Sequence, residues 1–244
     1  MITLEFLENV SVKNQTNVVN VIREYCQHLF LSYFYQEDDS EQVLFKGGTA
    51  LKIIHQSPRF SEDLDFSGFS ISFKKIEDLL ETILSKMEGE GIETDIVESK
   101  KTTGGYLGVI HFQIFSYSPQ IQLEISLRKQ TSVKGATALI HSEILPPYTL
   151  IYLPDHMLIK EKINALLERQ KPRDFFDLYF ILRSRIPGVE KIRREGGLRH
   201  KILKILEEKK IDFKTELSIF LPRSYHRLLP EFKTILKKEV EKWM

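Results

Sequence analysis

The sequence predicts a mixed α/β (α+β) protein in two parts: a stretch built around a mixed β-sheet, then a helical C-terminal half. Three observations predict it. Through about residues 1–145, short apolar runs bounded by glycine or proline alternate with helical stripes. Pro146–Pro147 then marks a change of texture. From "LPDHMLIKEKINALLERQ" onward nearly everything in residues 146–244 reads as helix, including "RDFFDLYFILRS" and "PEFKTILKKEVEKWM".

The elements follow in order. Val18, Val19, Ile22, Tyr25, Cys26, Leu29 and Phe30 recur at helical spacing and predict a long amphipathic helix that ends near "QEDDSEQ". "VLFKGG" reads as a short buried strand stopped by glycine. Thr49 to Gln56 reads as a helix whose first turn sits on Gly47–Gly48, and Ser57–Pro58 breaks it. "DLDFS" returns as a strand. Ile76, Leu79, Leu80, Ile83, Leu84 and Met87 make a regular stripe, the packed face of a further helix. "ETDIVES", "GYLGVIHFQIFSY" and "IQLEISLRKQ" read as strands, the last two flanking a turn at "SPQ". "EKIRREGGLRHKILKILEEKK" reads as a solvated helical face broken by Gly196–Gly197.

At 244 residues the chain is long enough for one large domain or two modest ones. Its 35 basic and 34 acidic residues give a formal net charge of +1, which excludes a strongly basic DNA-coating protein but not a local basic groove. One cysteine, Cys26, excludes an internal disulfide framework and suits a reducing compartment; its apolar surroundings make it a small buried hydrophobe. "MITLEFLENVSV" has no signal-peptide pattern, and no run of about 18 apolar residues is long enough to span a membrane. The expected location is cytoplasmic.

The stretch "FKGGTALKIIHQSPRFSEDLDFS" concentrates the candidate chemistry. Asp63 and Asp65 are two apart, so in a strand both carboxylates face one way. Their mutual repulsion would be relieved by a divalent cation, for which Mg²⁺ is the natural choice. An exposed strand end is the bland alternative. Upstream, Gly47, Gly48 and Thr49 open a helix whose free N–H groups and dipole favour an anion, and the same turn serves equally as a tight structural cap. In "IQLEISLR", Ile121, Leu123, Ile125 and Leu127 face one way, and Gln122, Glu124, Ser126 and Arg128 the other. Glu124 is therefore able to join the two aspartates if the strands are neighbours; otherwise it is a solvent-facing acid. Three carboxylates holding two ions suit in-line phosphoryl or nucleotidyl transfer.

In the helical half, Lys162 and Arg169 lie two turns apart on one face, with Lys162 suited to a β- or γ-phosphate. Arg173 and Asp177 are spaced i, i+4, as in a surface ion pair, and Asp174 fits a first-turn helix acid.

These segments and their order resemble the AbiEii-type nucleotidyltransferases, the toxin components of type IV toxin–antitoxin systems within the polymerase-β-like nucleotidyltransferase superfamily. The resemblance covers roughly residues 40 to 185. It implies a nucleotidyltransferase core in residues 1–145, with residues 146–244 completing an active-site cleft. It implies Mg²⁺ in a two-ion site on Asp63, Asp65 and Glu124. It implies a nucleoside triphosphate at Gly47, Gly48, Thr49, Arg59, Ser61 and Lys162. Arg173, Asp174 and Asp177 match the "RD..DL" motif that closes the site. Several toxins of this type imply an RNA acceptor, the tRNA 3′ end, and others imply GTP binding. A cognate antitoxin, acting with or without contact, is a further implied partner.

For the acceptor, Lys171, Arg173, Arg183, Arg185, Arg193, Arg194, Arg199 and Lys201 offer phosphate contacts, although Glu190, Glu195, Glu207 and Glu208 interleave with them. Three alternatives stay open: a small-molecule transferase of antibiotic-modifying type, a non-catalytic nucleotide-binding or interaction protein, and, ranked last, a metal phosphohydrolase.

Overall fold

The structure is a computed structural model that describes residues 2–129 and 132–244. Met1, and Gln130 at the end of the predicted strand segment "IQLEISLRKQ", lie outside the described residues. The chain runs α1 (Leu4–Lys13), α2 (Val18–Phe34), β1 (Val43–Lys46), α3 (Gly47–His55), β2 (Leu64–Gly68), α4 (Phe73–Gly89), β3 (Glu93–Thr102), β4 (Gly105–Gln113) and β5 (Gln120–Leu127). It continues with β6 (Ala136–Ile140), β7 (Tyr148–Tyr152), α5 (Asp155–Arg169), α6 (Pro172–Arg183), α7 (Val189–Arg193), α8 (Leu198–Glu208), α9 (Phe213–Phe220) and α10 (Phe232–Trp243).

Two compact units emerge. The first comprises residues up to Ile54 and Phe60–Leu153, the second His55–Arg59 and Pro154–Met244. The first holds one mixed seven-stranded sheet in the order β3-β4-β5-β2-β1-β7-β6. Two pairs, β2/β5 and β1/β7, are parallel, and the rest are antiparallel.

Caps and apolar stripes set its helices. Asn17 caps α2 by accepting from the Asn20 N–H at 2.8 Å, and Ser72 caps α4 by accepting from Lys75 N–H at 3.2 Å. The α4 stripe from Ile76 to Met87 is buried throughout. α2 is buried along most of its length and carries Phe30 and Phe34 into an aromatic core, where Phe34 stacks on Phe66 at 5.4 Å and Phe45 lies 5.4 Å from the same ring. Burying a phenylalanine contributes about 2–3 kcal/mol. A one-residue slip of β2 would exchange Leu64 and Phe66 for Asp65 and Ser67 in that core, so this packing fixes the register.

β6 and β7 have no counterpart among the predicted elements. "ATALI" and "YTLIY" are five residues each, too short to declare a period, and the second sits between prolines. The sheet consequently extends past Pro146–Pro147, and the compact division falls after Leu153.

In the second unit α5 ends at Gln170, whose φ of 53° is left-handed, and Pro172 starts α6 with a φ that suits a first helical residue. Phe175, Phe176, Phe213 and Phe232 form its aromatic centre, with Phe213 and Phe232 at 5.0 Å and Phe176 and Phe232 at 5.8 Å. Gly197, at φ 77°, separates α7 from α8. Among the described residues no helix is long and apolar enough to cross a membrane.

Candidate active site

Within the first unit, the strand order brings the candidate residues of three strands onto one row. Asp65 on β2 pairs with Lys46 on β1 and with Glu124 on β5. Because Leu64 and Phe66 point into the core, Asp65 projects from the opposite face. Glu124 is exposed, and Asp63 and Asp65 are half-buried. Asp63 lies just ahead of β2, where its backbone carbonyl accepts a hydrogen bond from the buried Thr49 hydroxyl. That bond ties the first turn of α3 to the start of the acidic strand.

Gly47 is required by geometry. Its φ of 87° is left-handed, and a Cβ there would collide with Asp65 Oδ2 and stand 2.7 Å from the Asp65 Cβ and Cγ. The Asp65 carboxylate therefore rests against the backbone that opens α3. Gly48 is buried in the same turn. Ser61 is anchored through its main chain, its carbonyl accepting from Gln27 Nε2 at 3.0 Å, and the same amide donates to the Glu62 carbonyl at 3.0 Å.

The three candidate acids do not converge on one point: among the described residues no group of three or more His, Cys, Asp or Glu stands ready to hold a metal ion. Adjacent strands bring Asp65 and Glu124 side by side, while Asp63 sits two residues back. An all-oxygen pair of this kind suits Mg²⁺, which is commonly bound by one or two carboxylates and completes its shell with water and substrate phosphates. A preformed cage of three carboxylates is not what these residues make.

Sequence reasoning missed the cations on this face. Lys46 Nζ donates to Ser126 Oγ at 3.3 Å. Arg128 donates to the buried Ser67 Oγ through Nε at 3.1 Å and Nη2 at 3.0 Å. Ser67 and Ser126 are themselves register partners. Alternation along β5 already put Ser126 and Arg128 on the face of Glu124, but only the pairing of β5 with β2 and β1 reveals what they touch.

The second unit builds a buried charge cluster on α5 and α6. Asp177, 1% exposed, accepts from Arg59 Nε at 2.9 Å and Nη2 at 3.0 Å, and from Lys162 Nζ at 2.8 Å. Burial pushes the Asp177 carboxyl up, but the adjacent Arg59 and Lys162 charges outweigh it and hold it at about 2. Arg59 responds in kind: burial lowers its affinity for a proton, and Asp177 more than restores it. The expected surface pair between Arg173 and Asp177 does not form, because Asp177 faces inward; Arg173 instead approaches Glu216 at 3.9 Å. Asp174 has the first-turn role, accepting the Lys171 backbone N–H at 3.1 Å and a two-nitrogen grip from Arg169, Nε at 3.0 Å and Nη2 at 2.7 Å.

A family profile described as nucleotidyl transferase AbiEii toxin, type IV toxin–antitoxin system, matches residues 29–238. Among solved structures the chain is similar to MenT4, a nucleotidyltransferase toxin from Mycobacterium tuberculosis H37Rv, with a TM-score of 0.66 at 15% identity, over 98% of this chain and 89% of that one. It is also similar to JHP933 from Helicobacter pylori, with a TM-score of 0.52 at 19% identity, over 93% of this chain and 95% of that one. At such identities these likenesses describe the fold. No curated protein matches the sequence.

Proposed function

We propose, since the chain belongs to the AbiEii family of nucleotidyltransferase toxins, that it moves a nucleoside monophosphate from a nucleoside triphosphate to the 3′-hydroxyl of an RNA, with tRNA as the acceptor. Nucleotidyl transfer is the activity of the family; the acceptor and the residue roles are our reading. The observation that carries it is the contact of Asp65 with Gly47: a carboxylate and a helix N-terminus share one corner, as a metal-bound phosphate would require.

In this reading the backbone of Gly47, Gly48 and Thr49 receives the triphosphate, with Ser61 as a flanking polar position. Asp65 and Glu124, with Asp63 beside them, would hold Mg²⁺, as one ion or two. That metal would neutralise phosphate charge and lower the pKa of the acceptor hydroxyl. The acceptor oxygen bonds to the α-phosphorus as the α–β bridging bond breaks, and pyrophosphate departs with the electron pair. The hydroxyl proton passes to Glu124. Within the second unit, Lys162 is our candidate for a point charge on a phosphate, and Asp177 accepts from its ammonium as it does from Arg59. Since Arg59 is buried against Asp177, we assign it to positioning Lys162 rather than to the nucleotide itself. Arg173 is available to the leaving phosphate, and Asp174 fixes the start of the helix that carries it. The reaction takes place in the cytoplasm, where triphosphates and tRNA are found, and an antitoxin on a separate chain is the natural counterpart.

The test is transfer of label from each α-³²P nucleoside triphosphate to total tRNA with Mg²⁺, beside the variant Asp63→Ala/Asp65→Ala. Label on tRNA that falls by ~100-fold or more in the variant supports the assignment and names the nucleotide. Label that goes only to small alcohols or sugars would move the protein to the antibiotic-modifying type, and nucleotide binding with no transfer would leave a binding protein.

A further inference from the structure

We infer that Arg128, pinned by Ser67 and flanked by Lys46, is an acceptor-side phosphate contact: it grips the last phosphodiester of the polynucleotide whose 3′-hydroxyl reacts, and so selects a nucleic-acid end over a neutral or cationic small alcohol. The inference rests on the reading that pyrophosphate leaves at the Gly47–Thr49 turn. In-line displacement then places the attacking hydroxyl on the opposite side of the α-phosphorus. The sheet defines which side that is. β1 arrives at the turn with Lys46, so the strands parallel to β2 lead away from it. Along β5, Glu124 lies in the row of Asp65, Ser126 in the row of Ser67, and Arg128 beyond. The four steps from Glu124 to Arg128 span about 13 Å of extended chain.

On that side stands a guanidinium held in place. Arg128 is exposed, yet two of its nitrogens are committed to the buried Ser67 Oγ, at 3.1 and 3.0 Å, which orients the guanidinium. An oriented guanidinium suits bidentate recognition of a phosphate. Lys46 reaches toward the same row through Ser126 at 3.3 Å. Gly105, opposite Ser126 on β4, adds no side chain there. A terminal nucleotide with a free 3′-hydroxyl carries its phosphodiester on the 5′ side, within reach of such a cation. An aminoglycoside has no phosphodiester to offer Arg128.

The probe is a short fluorescent RNA oligonucleotide ending in a 3′-hydroxyl, and a copy whose last linkage is an uncharged methylphosphonate. Affinity for the full chain is followed by anisotropy against salt, for wild type, Arg128→Ala, Arg128→Lys and Ser67→Ala. Loss of one phosphate contact lowers the slope of log K against log salt by about 0.7 in Arg128→Ala. The methylphosphonate should do the same to wild type and nothing further to Arg128→Ala. Arg128→Lys should recover the slope. Ser67→Ala keeps the charge and loosens its placement, and should cost less than Arg128→Ala. In transfer assays, Arg128→Ala should raise KM for RNA about 10-fold and leave KM for the nucleotide unchanged. Equal binding of both oligonucleotides by wild type, or an effect of Arg128→Ala confined to the nucleotide, overturns the inference. RNA binding that depends on Arg128 without any transfer would retain the contact and reject the transferase reading of this acceptor instead.

Discussion

A methyl group at position 47 would overlap the carboxylate of Asp65, and the left-handed backbone there is strained for any residue with a Cβ. Gly47→Ala is therefore expected to act twice. The backbone strain costs about 1–2 kcal/mol of stability, readable by urea unfolding. The displaced carboxylate costs activity out of proportion, by ~100-fold or more in nucleotide transfer. A Gly47→Ala variant that is active to within a few-fold would show that Asp65 need not sit against the turn. The glycine pair was conspicuous in the sequence, but its partner was not, because the contact depends on β1 and β2 running antiparallel.

Between elements, α2 is joined to β7 by a buried hydrogen bond, His28 Nδ1 to the Tyr148 hydroxyl at 2.8 Å, with the rings edge to face at 5.8 Å. Burial, and then the nearby Lys52 charge, lower the His28 pKa from 6.5 to about 4. Between those two values the unfolded chain takes up a proton that the folded protein refuses, so stability falls as pH drops from 6.5 toward 4. The loss is on the order of 3 kcal/mol. Denaturant melts at pH 7 and pH 4.5 measure it, and His28→Gln should flatten the difference. α2 and α4 were legible from apolar spacing alone, as the α4 stripe illustrates, whereas α1 was not among the predicted elements. β6 and β7 were not, since their few residues acquire meaning only once β1 offers a free edge to β7. The same limit applies to the site. Asp65 and Glu124 were visible as polar residues on separate strands, and their adjacency is a property of the sheet. Lys46, too, became interesting only through its cross-strand neighbour.

Across the whole molecule, the chain path has an energetic centre. The second unit is assembled from His55–Arg59 and from Pro154 onward, and the buried Arg59–Asp177 pair joins the short piece to the long one. Asp177→Asn leaves Arg59 and Lys162 without their shared counter-charge, a loss of about 3–5 kcal/mol. Urea unfolding at pH 7 checks it, and a variant within about 1 kcal/mol of wild type would mean that water or another group already compensates the cations. Because the folded Asp177 titrates at about 2 against an ordinary value of 3.8, its contribution is present above about pH 4 and disappears as pH falls through 2. Arg59 looked, in the sequence, like part of the acid motif that follows it; only the folded chain assigns it to a carboxylate 118 positions away.

That discontinuous path also bears on how such a gene can be remodelled. A recombination event at the codon boundary after Leu153 would seem to exchange one compact unit for another, yet it would send Arg59 into one descendant and Asp177 into another. Each hybrid would inherit half of a buried ion pair from a different ancestor. Lineages that swap their distal segment are therefore constrained to keep both halves of this pair compatible, and the two stretches of chain are inherited together.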